Sequence, residues 1–374
     1  MSADKSLPDP ETAAGRLLAL VAISGEFPTG LLPRLPGGRW YKETVAKTLK
    51  QKRLLRTHSR NGVRAYRLTA HAKTLLTADN PERFSFALTG SAETNHSKSE
   101  ITRRLRLHRI AETIVTMQNA GVSVFRDDKP EIFSPVWREG GHAHFDVPAF
   151  YTSREMKELG TVFVKISGAR SVGVLLTENE IFVTYNLGDS LMKRSYKAEM
   201  RMKALMKTVL CRERLPDVYA PDAVQGLLLG NDMRLASEIL VGESGRQYFL
   251  LDGSYDHFHF LTNDRKGERL LSLLYSPALR ERLDSILLTD LYESDDGMTV
   301  ENDALEADGT PVLLAYTCDL PRIKRFDTAL RLQNRTGTVI CFDYQRDALK
   351  RCCGEGVRFR TIDFQKWERS FFEP

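Results

Sequence analysis

Asn61-Gly62 sits between two extended runs, Leu54–Ser59 and Val63–Leu68, and constrains the surrounding fold more tightly than any other feature of the chain. A two-residue hairpin loop of the primed type needs positive φ at both central positions. Asn and Gly adopt it at little cost, so the pair predicts a tight antiparallel hairpin. Upstream, a helical segment opens at Pro10-Glu11, carries Leu17, Leu18, Leu20 and Val21 at helix-compatible spacing, and stops at Gly25. Phe27–Leu35 contains Pro28, Gly30 and Pro33, which leaves room only for a short helix or turn. After Pro36-Gly37-Gly38 a second helix is expected from Arg39 to about Arg53. Its apolar stripe reads Tyr41, Val45 and Leu49, at i, i+4 and i+8, which puts Trp40 and Tyr41 in the core. The other faces carry Arg39, Lys42, Thr44, Lys47, Lys50 and Gln51. Beyond the hairpin, Thr69 is placed to cap a last short helix from Ala70 to about Leu76.

The charge of this stretch is one-sided. From Arg34 to Leu75 there are twelve Lys and Arg against one acid, Glu43, so the segment carries +11 and the rest of the chain −6, for a total of +5. Solvated faces usually mix both signs; a concentrated basic block on a near-neutral body is the footprint of phosphate binding.

The order helix, short helix, basic helix, hairpin, helix resembles a winged helix-turn-helix domain. Tyr66-Arg67-Leu68-Thr69 leading into a basic amphipathic helix is similar to the exit from the wing in many bacterial members. The resemblance covers residues 10–78. It implies that the basic helix enters the major groove of double-stranded DNA and that the hairpin touches backbone or minor groove. Carried over by position, Arg39, Lys42, Thr44, Lys47 and Lys50 face the groove, with Thr44 or Gln51 reading a base edge, and Arg60 and Arg64 lie on the wing. Some winged helices instead bind proteins, so an interaction scaffold is the alternative for this module.

Residues 79–98 are polar and rich in turn formers and read as a linker. The segment 99–214 is expected to hold a helix from about Glu100 to Asn119, with a basic start at Arg103, Arg104, Arg106 and Arg109 and an apolar side of Ile101, Leu105, Ile110, Ile114 and Met117. Then come a short strand, Val122–Phe125, and an antiparallel meander of Thr161–Ser167, Ser171–Thr177 and Ile181–Tyr185. A second basic helix, Ser195–Arg212, follows. From 215 to 374, helices and strands alternate, which argues for βα units and a partly parallel sheet. The fold class expected is therefore a multidomain α+β or α/β chain.

Four constellations bear on chemistry. His142 and His144, at i, i+2, face one way but lack further ligands nearby. His257-Phe258-His259 resembles the metal-binding strand of rolling-circle replication and relaxase nucleases, which implies His257 and His259 as metal ligands and Tyr255 or Tyr275 as nucleophile; no third ligand is identifiable. A restriction-type nuclease core needs an acid and then Glu-x-Lys, whereas Asp146 is followed by Phe163-Val164-Lys165, with Phe in the acid position. The five cysteines, Cys211, Cys318, Cys341, Cys352 and Cys353, fit no zinc pattern and read as reduced thiols. No nucleotide fingerprint is present and no cofactor is expected.

No stretch approaches the roughly 18 apolar residues of a membrane span, and MSADKSLPDPETAAG lacks a signal-peptide core, so a membrane is not expected as a partner and the expected compartment is the cytoplasm. A winged helix joined to a larger nuclease-like α/β region resembles the replication-relaxation proteins of bacterial plasmids and integrative elements, and Lys165–Arg170 and Cys341–Gln345 resemble stretches of uncharacterised proteins of conjugative elements. That resemblance implies a regulator or accessory factor of replication or transfer, with double-stranded DNA as partner and a homodimer or a relaxosome or replication protein as further partners. A metal-dependent DNA nickase is the alternative.

Overall fold

Asn61 (φ 50°) and Gly62 (φ 76°) both take the left-handed conformation that the primed turn requires, and the hairpin forms in register, with Leu55 opposite Leu68 and Arg60 opposite Val63. The computed structural model describes residues 6–90, 92, 94–96, 99–136, 147–160, 169–193, 195–242, 251, 253–294 and 300–372. The chain is mixed α/β with several sheets and divides into two units: residues 1–132 with 140–149, and residues 133–139 with 150–374. His142, His144, Asp146, Phe163–Lys165 and the first meander strand, 161–167, lie outside the described residues. Among the described residues no helix is long and apolar enough to cross a membrane.

In the first unit the elements run α1 (Ala13–Ser24), β1 (Phe27–Pro28), a 3₁₀ turn (Thr29–Arg34), α2 (Arg39–Gln51), β2 (Leu55–Arg60), β3 (Val63–Leu68), α3 (Ala70–Asp79), α4 (Pro81–Leu88) and α5 (Ile101–Asn119). β1 pairs antiparallel with β3, giving a three-stranded sheet in the order β1-β3-β2. Thr12 caps α1 through the Gly15 N–H and Thr69 caps α3 through the Ala72 N–H. Leu17, Leu18, Leu20 and Val21 of α1 are fully buried, with Phe27, Leu49, Leu107 and Ile114 in the same core.

Two expectations change here. The stretch expected to be a linker contains α4, which Asn80 caps by accepting from the Arg83 N–H and which Pro81 opens. Phe84, Ala87 and Leu88 bury its apolar side. The other change concerns α5, expected to belong with the segment after the linker. It packs into the first unit through Arg104, which is completely buried, as are Leu107, Ala111, Ile114 and Val115, while Leu105 is exposed.

In the second unit, β4 (Ala149–Thr152), β5 (Gly173–Leu176), β6 (Ile181–Gly188), β7 (Val224–Gly230) and β8 (Phe258–Thr262) form a five-stranded sheet in sequence order. β5 and β6 pair antiparallel; β6, β7 and β8 are parallel. The sheet continues across residue 214, where a boundary was expected. The crossovers are α6 (Tyr196–Met206), extended by a π-helical stretch Lys207–Arg214, and α7 (Arg234–Val241). Every residue of β6 is buried, as a parallel strand covered on both faces requires.

A second, four-stranded sheet has the order β12-β11-β10-β9, from β9 (Ala304–Leu305), β10 (Pro311–Leu314), β11 (Gly337–Phe342) and β12 (Val357–Ile362). β10, β11 and β12 are parallel, joined by α10 (Leu320–Gln333) and α11 (Asp343–Lys350). Two helices, α8 (Arg265–Tyr275) and α9 (Pro277–Leu288), follow β8, and α12 (Phe364–Phe372) follows β12.

Candidate nucleic-acid interface

α2 has no side-chain N-cap bond; Gly38 merely precedes it. Its orientation is set by what it buries: Lys42, Ala46 and Leu49, at i, i+4 and i+7. Lys42 is buried and its ammonium donates to the Pro33 and Leu35 carbonyls at 2.7 and 2.8 Å. Those carbonyls lie at the end of the 3₁₀ turn, where backbone acceptors lack partners of their own, and the aliphatic stem of Lys42 completes the apolar stripe. The helix is thereby turned by about 70° of arc from the orientation that Tyr41, Val45 and Leu49 predicted. Lys42 is not a groove-facing residue, and Trp40 and Tyr41 are not core: they are 79% and 50% exposed.

Apart from the half-buried Lys52, the cations of the block fall into two groups. Arg34, Lys42, Arg67 and Lys73 are engaged within the protein: Arg34 donates to Thr116, Arg67 to Glu26, and Lys73 to Asn95. Arg39, Lys47, Lys50, Arg53, Arg56, Arg60 and Arg64 are exposed, as are Thr44 and Gln51. Arg39 pairs with Glu43 at 3.1 Å, an exposed i, i+4 pair of small energetic weight. α2, the hairpin and the turn between them therefore carry seven exposed Lys and Arg and a single acid, Glu43.

A buried ionic hub holds that hairpin in place. Glu26, 1% exposed, receives Arg67 at 2.6 Å, Arg104 at 2.6 Å and His108 at 3.0 Å. Burial alone would raise the Glu26 carboxyl, but the hydrogen bonds from His108, Arg104 and Arg67 outweigh it and bring its pKa down from 4.5 to about 2. Arg104 also donates to the Arg60 carbonyl at 3.2 Å and the Val63 carbonyl at 3.0 Å, one on each side of the Asn61-Gly62 turn. Arg104, expected on a basic surface, instead ties α5 to the base of the hairpin turn. Neither Glu26 nor Arg104 had stood out among the site residues, because their partners are 41 to 82 positions away in sequence.

His257 and His259 of the second unit each have hydrogen-bond partners within the protein. His257 Nδ1 meets Asp319 Oδ2 at 2.7 Å, and Asp319 Oδ1 accepts from the Phe258 N–H at 3.0 Å. The hydrogen bond to Asp319 raises the His257 pKa against the opposing effect of burial. His259 is buried, with its ring nitrogens 3.3 Å from the Thr317 carbonyl and from Gln225 Oε1, and burial lowers its pKa. Neutral, the His259 ring carries one N–H, which donates to one of these two oxygens.

Among the described residues no group of three His, Cys, Asp or Glu has the geometry to hold a metal. Tyr255 is 3% exposed, and its hydroxyl lies 3.0 Å from that of Tyr185, which itself donates to Glu199 at 2.7 Å. Its single proton so committed, Tyr185 accepts from Tyr255, and that hydroxyl is locked in a buried chain rather than presented to a phosphodiester. Tyr275 is the half-buried last residue of α8. Cys211, Cys318 and Cys341 are buried free thiols, with Cys352 and Cys353 half-buried.

No protein-family model matches the chain, and no curated protein and no solved structure does.

Proposed function

We propose that residues 10–78 act as a winged helix that binds double-stranded DNA, with α2 as the recognition helix and the β2–β3 hairpin as the wing. The observation that carries this reading is the set of seven exposed Lys and Arg on α2, the hairpin and the turn between them, with Glu43 as the only acid between Arg34 and Leu75. The element order and the β1-β3-β2 antiparallel sheet support it, since in that motif the second helix of the pair enters the major groove. Arg39, Thr44, Lys47, Lys50 and Gln51 then line the groove and Arg60 and Arg64 reach the flanking backbone; Lys42 is withdrawn from that set. On this reading the chain is a regulator or accessory factor in the replication or transfer of a mobile element, the role that its resemblance to replication-relaxation proteins implies.

The test is fluorescence anisotropy on a random-sequence duplex across a salt series. Neutralising a phosphate contributes about −0.9 to the slope of log K against log salt, so the seven exposed cations set a limit of about −6. Lys47→Glu/Lys50→Glu is expected to flatten the slope by about 2 and to weaken binding at every salt concentration. Absent binding, or binding indifferent to the double charge reversal, overturns the proposal.

A further inference from the structure

The outward face of α2 is more than cationic. At 100° per residue, Trp40, Thr44, Lys47 and Gln51 fall within about 60° of arc, opposite the buried Lys42, Ala46 and Leu49. Arg39, Glu43 and Lys50 flank this stripe on one side. Trp40, at 79%, is the most exposed aromatic side chain among the described residues. Its indole is the largest apolar contact that this face offers a partner. The Thr44 hydroxyl donates to the Trp40 carbonyl at 3.0 Å, which fixes the first turn and leaves that hydroxyl only its acceptor role.

A recognition helix meets base edges with its N-terminal residues, and Trp40 is the second residue of α2. In a closed duplex the bases stay stacked, so an indole in the major groove has no base face to stack on. The apolar group displayed there is the C5-methyl of thymine. The charge around Trp40 fits the flanking phosphates, with Arg39, Lys47 and Lys50 at or beside the stripe.

We infer that Trp40 determines specificity by packing against a thymine methyl in the major groove, so that the preferred duplex carries thymine beneath the N-terminus of α2. This rests on the duplex-binding reading above. It requires the apolar edge of the indole to be desolvated against one methyl group, worth about fourfold in affinity.

The experiment starts from a preferred site selected from random duplexes with the full-length protein. Each thymine is then replaced singly by deoxyuridine, which removes only the methyl group. At one position the wild type is expected to lose about fourfold in affinity. Trp40→Ala is expected to bind the thymine site about as weakly as the wild type binds the uridine site, and to bind both duplexes equally. The salt slope is expected to be the same for both proteins. Trp40→Gln serves as the second variant, and fluorescence quenching by the thymine and uridine duplexes that the wild type shows and Trp40→Gln lacks reports the contact, since the chain has two other tryptophans.

Uridine substitutions that are neutral at every position overturn the inference, as does a Trp40→Ala protein that keeps its thymine preference, or a selection that returns no preferred site. In these cases an intact salt slope leaves the duplex reading standing; a wild type with no salt-dependent binding shows that the duplex reading itself has failed.

Discussion

Replacing Glu26 by Gln removes one negative charge from the centre of the first unit without changing its shape. The carboxylate is 1% exposed and holds two guanidinium groups, Arg67 and Arg104, that are themselves buried. Breaking a buried ion pair by removing one partner costs about 3–5 kcal/mol, because the remaining charge stays in the interior uncompensated. A second figure comes from protonation. A drop in pKa from 4.5 to about 2 corresponds to about 3 kcal/mol at 1.36 kcal/mol per unit. Because the folded-state value is depressed, this stabilisation is complete above pH 4.5 and is lost as the pH falls towards 2. Glu26→Gln is therefore expected to destabilise the unit by about 3–5 kcal/mol at pH 7, and its deficit relative to wild type is expected to shrink by about 3 kcal/mol between pH 5 and pH 2. Peptide-resolved hydrogen exchange of the full chain, in urea and at several pH values, reads this from α1, β3 and α5 separately from the second unit. A deficit under about 1 kcal/mol at pH 7, or one that does not change with pH, would refute the reasoning.

Lys42→Met keeps the buried stem but strips the Pro33 and Leu35 carbonyls of their donor; it is expected to destabilise the first unit by about 1–3 kcal/mol while leaving the DNA salt slope unchanged, by urea titration and anisotropy. Asp319→Asn removes the charge that holds the His257 pKa above its ordinary 6.5, so a proton NMR titration is expected to show that pKa falling back towards 6.5 in the variant. With the native pKa raised, the contribution of the His257–Asp319 pair to stability is full below pH 6.5 and declines as the pH climbs through the folded-state value. Gly267→Ala places a methyl group against the Thr262 carbonyl, and a urea melt of the second unit is expected to show a loss of about 3 kcal/mol, the upper end for overpacking.

Sequence periodicity was informative wherever the local backbone decided the outcome. Asn61-Gly62 specified a hairpin because two positive φ values in succession leave few other choices. β6 and β11 are buried along their whole length because both faces of the sheet are covered there. Periodicity failed on α2 because hydropathy counts a residue as one object. Lys42 buries its methylenes and delivers its ammonium to two carbonyls, and Trp40 stands in water, so the true stripe is displaced from the apparent one. α4 was legible but overlooked: Asn80-Pro81 is a helix start, and Phe84, Ala87 and Leu88 repeat at i, i+3 and i+4. The Glu26 hub was not legible, because nothing local marks a carboxylate whose three partners arrive from β3 and α5.

A net count of charge treats all twelve cations of the basic block alike, and the structure separates them by what they touch. Arg67 sits under the hairpin against Glu26, and Arg104, from a helix outside the block, completes the same hub while gripping the carbonyls at both ends of the turn. Arg60 and Arg64 reach outward from the strands so anchored. Buried and exposed cations are thus coupled mechanically: the interior pair fixes where the exterior pair points. A charge-reversal experiment confined to exposed residues measures phosphate contacts directly. A Glu26 or Arg104 variant is expected to change the same salt slope without removing any exposed charge, because a loosened hairpin no longer holds Arg60 and Arg64 at a fixed distance from α2. Comparing the two kinds of variant distinguishes the hairpin's charge from its position as the source of any DNA affinity.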